Sequence, residues 1–227
     1  MRLWDISPAI SPATPCFPGD TAYTQRWTAQ IGPGCPVNVS AITVSPHVGA
    51  HADAPLHYGP DAAAIGHCEL SPFLGPCRVI HAIDQGALIT PEHLAHAVNG
   101  GGGNHFLGLP HRVLVRTCRR APTTWSAVFS AFAPHTITWL ASLGVRLVGI
   151  DSPSVDPADS KTLDSHQQLL AHDMRVLENL VLDEVDAGDY ELIALPLKLV
   201  HADASPVRAI LRSLSSSPKP QASSPSR

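Results

Sequence analysis

Between Ser45 and His57, four side chains able to ligate a metal, His47, His51, Asp53 and His57, are interleaved with glycine, alanine and proline. Their spacing argues against a helix: at about 100° per residue Asp53 would point about 200° away from His51, and Gly49 and Pro55 also oppose a helix. In an extended chain all four positions share one parity and so one face. A straight strand would nevertheless hold the Cα atoms of His47 and His51 about 13 Å apart. Two imidazoles on one ion must each bring a nitrogen to about 2.0–2.1 Å from it. The chain must therefore bend, and Gly49-Ala50 is where it can. Small flanking residues leave room for an ion and a ligand, and mixed His/Asp donors suit zinc or another first-row divalent ion. The alternative is a coincidental run in a chain with thirteen histidines, hydrogen-bonded at a surface. One carboxylate and two or three histidines rarely close a catalytic shell, so a metal site needs further ligands from elsewhere.

The elements that must position these groups read as short strands separated by proline and glycine. β-branched or apolar runs predict strands over residues 37–44, 77–83, 112–117, 146–151 and 190–196. Thr90 as an N-cap and Pro91 at the first helical position open a short helix over 90–98, and Gly144 ends a second that starts at Pro134. Residues 3–27 carry repeated proline turns and read as an extended arm or irregular edge, and Gly100 to Asn104 as a loop. Strands outnumber helices and some connections are helical, which gives a mixed α/β single domain of undetermined sheet order.

With 227 residues, 44% apolar and 15% charged, the chain can bury one sizeable core. Twenty-two prolines disfavour a helix bundle. A net charge of −4 with no basic cluster argues against nucleic acid as a partner, and no apolar run reaches the length of a membrane span. The first eight residues lack the apolar region of a secretory signal. The five cysteines are odd in number, and none lies in a C-x-x-C pair. They read as reduced thiols of a cytoplasmic protein. The domain is expected over residues 1–212, with the Ser/Pro-rich 213–227 as a disordered tail.

The segment from His47 to His57 resembles the H-x-G-T/A-H-x-D-x-P-x-H signature of the metal-dependent cyclase-like hydrolases. Residues 4–8, 18–20, 74–80, 149–157, 189–197 and 202–208 are similar to one branch of them, the bacterial kynurenine formamidases (arylformamidases). The resemblance covers most of residues 3–212. It implies a single mixed-sheet domain of the swivelling β/β/α type and two divalent metal ions per subunit, zinc in the first place and manganese as an alternative. It also implies a homodimer and an aryl formamide substrate. His47, His51 and Asp53 match the family's first ligands, with the aspartate placed to bridge, and His166 and Glu178 match the rest. On one straight helix those last two would stand about 18 Å apart. A break is therefore expected, with a helix over 165–172 and a strand over 174–178.

His57 matches the family's proton donor and acceptor, a task suited to an imidazole near neutral pH. Phe17 stands before Pro18-Gly19-Asp20 where the formamidases typically have tryptophan. It keeps an aromatic face for an aryl substrate but loses the indole N–H. The activity implied is hydrolysis of N-formyl-L-kynurenine to L-kynurenine and formate. A serine hydrolase is the rival mechanism, but the chain has no G-x-S-x-G elbow. Opening of a lactam such as isatin is the nearest enzymatic alternative, and a non-catalytic metal-binding protein is the alternative of a different class.

Overall fold

The computed structural model describes residues 1–101 and 108–214. The tail beyond residue 214 and most of the glycine-rich stretch after Gly100 lie outside the described residues. In chain order the strands and helices are β1 (Leu3–Asp5), β2 (Thr24–Ala29), β3 (Val39–Thr43), β4 (His51–Asp53), β5 (Leu74–His81), β6 (Leu88–Ile89), α1 (Pro91–His96), β7 (Arg112–Arg116), β8 (Ala131–Phe132), α2 (Pro134–Ser142), β9 (Leu147–Ile150), α3 (Asp164–Ala171), β10 (Arg175–Glu178), β11 (Gly188–Ile193), β12 (Ala204–Pro206) and β13 (Ile210–Arg212).

Nine of these strands form one mixed sheet in the order β1-β13-β11-β5-β7-β9-β10-β4-β12. Its middle, β5-β7-β9-β10, is parallel. Both ends are antiparallel. Parallel strands are buried on both faces and read as continuous apolar runs, which is why 112–117 and 146–151 were legible as strands. Alternation sorts their side chains. Val113, Val115, Val148, Ile150 and Val176 meet Leu94, Ile137, Leu140 and Leu169 from the three helices. Leu114, Leu147 and Leu177 point the other way, into a cluster with Ala52, Leu192 and Leu211. That second cluster draws on strands from both ends of the sheet, so the sheet is curled around it. Each such buried aliphatic side chain stabilises the fold by about 1.5–3 kcal/mol.

The helix boundaries follow the chemistry of the sequence. The Thr90 backbone N–H donates to His93 Nδ1 at 3.1 Å at the start of α1, and α2 ends at Ser142, with Gly144 turning the chain away at φ +86°. The break between His166 and Glu178 also occurs as expected: α3 stops at Ala171, Asp173 takes φ +50°, and the chain re-enters the sheet as β10. Across β5 and β11, register places Arg78 opposite Asp189. This buried pair is bidentate, at 2.8 Å from Nε and 3.2 Å from Nη2. Arg78 also donates to the carbonyls of Ala97 and Gly108. Outside the main sheet, β2 and β3 form an antiparallel hairpin.

Candidate metal centre and active site

The site is built by strand register. Strand β4 lies between β10 and β12, with Glu178 directly opposite His51 and Ala204 opposite Asp53. Ala52 between the two ligand-type residues faces the core cluster, so His51, Asp53 and Glu178 share the other face, the one covered by α3. From α3, His166 reaches the same point. Gly49, at φ +72°, makes the bend expected between His47 and His51. A Cβ at that position would meet Ile10 at 3.0 Å, so the N-terminal arm packs against the turn as closely as a glycine permits.

The hydrogen-bond partners fix which imidazole nitrogens face the centre. His51 Nδ1 lies 2.9 Å from the Gly49 carbonyl, which only accepts, so that nitrogen carries the proton. Its Nε2 lone pair then faces Asp53 Oδ1 at 3.3 Å and Glu178 Oε2 at 3.4 Å. His166 is fixed in the same way: Nδ1 lies 2.7 Å from Asp156 Oδ2, leaving Nε2 toward Asp53 Oδ2 at 3.4 Å and Glu178 Oε1 at 3.5 Å. Acceptors thus converge on acceptors. His51 Nε2 and Asp53 Oδ1 are buried without a hydrogen-bond partner, an arrangement that is costly unless a cation lies among them. Donors at 2.0–2.1 Å from a tetrahedral ion stand about 3.3 Å from one another, close to the separations seen here. The residues present fit a divalent ion, and imidazoles backed by a carbonyl or carboxylate are the usual support for one.

Two donor groups share Asp53: His51, Asp53 and Glu178, and His47, Asp53 and His57. His47 Nδ1 is 3.0 Å from Asp53 Oδ1. The carboxylates dominate the electrostatics. Burial alone would drive His51 down, but the Asp53 and Glu178 carboxylates beside Nε2, able to accept from it once it is protonated, outweigh that and raise it to about 10. His47 and His166 rise for the same reason against the same penalty, His47 through Asp53 and His166 chiefly through Asp156. Burial pushes Asp53 and Glu178 up, and the surrounding histidines pull both below the ordinary carboxylate range. Protons or metal ions are alternative balancing charges for such a cluster.

All six of these polar residues singled out in the sequence therefore meet at one place. Phe17 lies farther out, on the wall of a cavity of about 630 Å³ that opens over the cluster. Its ring packs edge-on against Trp125, with centroids 4.7 Å apart, so an indole stands beside the position where the sequence lacks one. Sequence reasoning gave no role to Trp125, Asp156 or Asp203. Asp203 Oδ2 is 3.0 Å from His47 Nε2 and 3.3 Å from His57 Nδ1, joining one ligand-type histidine to the histidine expected to move protons. The backbone carbonyl of Asp203 also accepts from Ala54 N at 2.8 Å, just before the turn that carries His57.

A curled mixed sheet with a buried His/Asp/Glu nest under an aromatic-walled cavity is the construction of a cyclase-type metal-dependent hydrolase. The family described as "Putative cyclase" matches residues 4–157. A solved structure described as a "predicted metal-dependent hydrolase" from Bacillus stearothermophilus superposes with a TM-score of 0.75 at 26% identity, covering 92% of this chain and 97% of that one. Isatin hydrolase A from Labrenzia aggregata shares the fold, with a TM-score of 0.75 at 20% identity over 92% of this chain and 93% of its own. "Kynurenine formamidase" of Delftia acidovorans is 68% identical over 213 residues, 94% of this chain and 98% of that protein. The protein of the same name from Bordetella pertussis is 67% identical over 214 residues, 94% and 99% of the two chains. The chain belongs to the kynurenine formamidase family.

Proposed function

We propose that this protein is an arylformamidase that hydrolyses N-formyl-L-kynurenine to L-kynurenine and formate, a step of tryptophan degradation. The observation that carries the reading is an acceptor-lined nest beneath an aromatic-walled cavity in a chain 68% identical to a kynurenine formamidase. Isatin opening has support from fold alone, at 20% identity.

His47, His51, Asp53, His166 and Glu178 are assigned as the ligands of two divalent ions, zinc or alternatively manganese, with Asp53 between them. The place of Asp53, with His47 at one side and His51, His166 and Glu178 at the other, supports the number. When bound, such ions supply Lewis acidity and an activated water. The protein's own part is to hold the formyl group and move protons. Asp203 accepts from His57 Nδ1–H, which leaves the Nε2 lone pair free to take a proton from water and return it to the departing aryl amine. Phe17 and Trp125 offer ring faces to the aryl group.

A homodimer is also inferred. On the β2–β3 hairpin, Trp27 and Ile42 share one face and are 52% and 60% exposed, an apolar surface of the kind subunit contacts cover. The five free cysteines support a reducing, cytoplasmic setting. Among the described residues no helix is long and apolar enough to cross a membrane.

The test is elemental analysis with a formylkynurenine assay before and after chelation. Two divalent ions per chain are expected, with turnover falling at least about a hundredfold on stripping and returning with zinc or manganese. Full turnover by the stripped protein would refute the metal-dependent reading.

A further inference from the structure

Among the described residues, the cavity over the ligand cluster is lined by one lysine, Lys161, and no arginine. Lys161 is exposed and forms no salt bridge with another described residue. The other charged side chains on the cavity wall are carboxylates: Asp20, Asp151, Glu178 and Asp203. The carboxylate of an amino-acid ligand finds one lysine or arginine to complement it on the described wall, Lys161, away from the histidine nest, while the wall's carboxylates suit the ammonium group of the same ligand.

The segment carrying Lys161 is held at both ends. Ser160 N donates to the Pro157 carbonyl at 3.0 Å, and Leu163 N donates to Ser160 Oγ at 3.0 Å. Leu163 then turns through φ +51° into α3. There, Asp156 accepts from the backbone N–H groups of Ser165 at 2.8 Å and His166 at 3.0 Å. The lysine thus sits on a clamped loop that leads directly into a ligand-type histidine. Its backbone is held next to the hydrogen bonds to Asp156 that fix His166.

We infer that Lys161 binds the aliphatic carboxylate of the substrate, selecting aryl formamides that carry an amino-acid side chain over those that do not. The inference rests on the formamidase reading above. In it the aromatic wall of Phe17 and Trp125 takes the ring, the nest takes the formyl group, and the charged tail of the same molecule ends at Lys161. Lysine meets a carboxylate as a point charge on a flexible stem, so the contact acts on binding and leaves the chemical step untouched. Lys161 is a specificity-determining residue here, distinct from the acid/base His57.

The experiment compares two formanilides on the full-length protein: N-formyl-L-kynurenine and 2′-formamidoacetophenone, which has the same ring, ketone and formyl group but no charged tail. Lys161→Met should raise KM for formylkynurenine about tenfold with kcat unchanged, as expected for loss of one partly exposed charge-assisted contact. It should leave the acetophenone formamide unaffected, and Lys161→Arg should restore most of the loss. Equal kinetics of wild type and Lys161→Met on formylkynurenine would overturn the inference. So would an equal loss on both substrates, which would place Lys161 at the reacting end or in the scaffold. If the wild type hydrolyses neither compound, the formamidase reading itself fails and the inference falls with it.

Discussion

At the scale of single residues, His57 is the group on which the proposed chemistry turns. Its Nδ1 faces Asp203, so replacing the ring should remove proton transfer without opening the nest. His57→Ala is expected to lower turnover of formylkynurenine by about 10²–10⁴-fold while metal content stays unchanged, measured by elemental analysis on the same samples. Loss of one ion per chain in that variant would make His57 a ligand instead, which its place in the donor group with His47 and Asp53 allows. His47, His51, Asp53 and the bend at Gly49 were legible in the sequence because one short segment holds them all. His166 and Glu178 were reached only through family resemblance, since Glu178 meets the centre by sheet pairing and His166 by the packing of α3 over the sheet, the latter across 113 residues. Asp203 was not assigned a role. It acts through one carboxylate oxygen on two rings 156 and 146 residues away, and no local spacing announces such a contact.

At the scale of elements, the bend before β4 carries the most consequence. Gly49 sits at φ +72° with Ile10 pressed against it. A side chain there is strained by its backbone conformation and has to displace the arm. Gly49→Ala should therefore lower stability by about 1–2 kcal/mol, read from a urea midpoint. It should also weaken metal retention, because His47 and His51 lie on either side of the turn. Retention equal to wild type would show that the nest is set by β4 pairing alone. Strands β3, β5, β7, β9 and β11 and helix α2 were legible because their apolar runs and caps are local, whereas the six-residue β2, polar and exposed, lay across the end of the segment read as an extended arm. Strands β4, β12 and β13 were not, since three residues each give no periodicity to read. Their extended form comes from the strands they pair with, β4 and β13 being flanked on both sides and β12 pairing with β4 alone at the sheet edge.

At the scale of the whole molecule, two features test how the fold and its assembly are held. Arg78 and Asp189 join β5 to β11 as a buried pair, and Arg78 reaches the carbonyls of Ala97 and Gly108 as well. Removing the cation takes two hydrogen bonds from the buried Asp189 carboxylate and one from each of two carbonyls, so Arg78→Met should cost about 3–5 kcal/mol in a denaturant titration. A change under about 1 kcal/mol would mean that water or a neighbour compensates. On the hairpin face, Ile42→Glu should convert the inferred dimer to monomer in sedimentation velocity, without changing the fold seen by circular dichroism. A wild-type protein that sediments as a monomer would dispose of the dimer outright. The sheet order has one more consequence, for the history of each molecule. Strand β4 is flanked only by β10 and β12, both made long after it. His51 and Asp53 therefore leave the ribosome long before Glu178, His166 and Asp203 exist to stand beside them. The nascent peptide offers a passing cation only a partial and poorly shaped set of donors. The donors that would choose a metal are thus brought together only after residue 203 has been made, when the finished set meets whatever ions the cell then holds in exchangeable form.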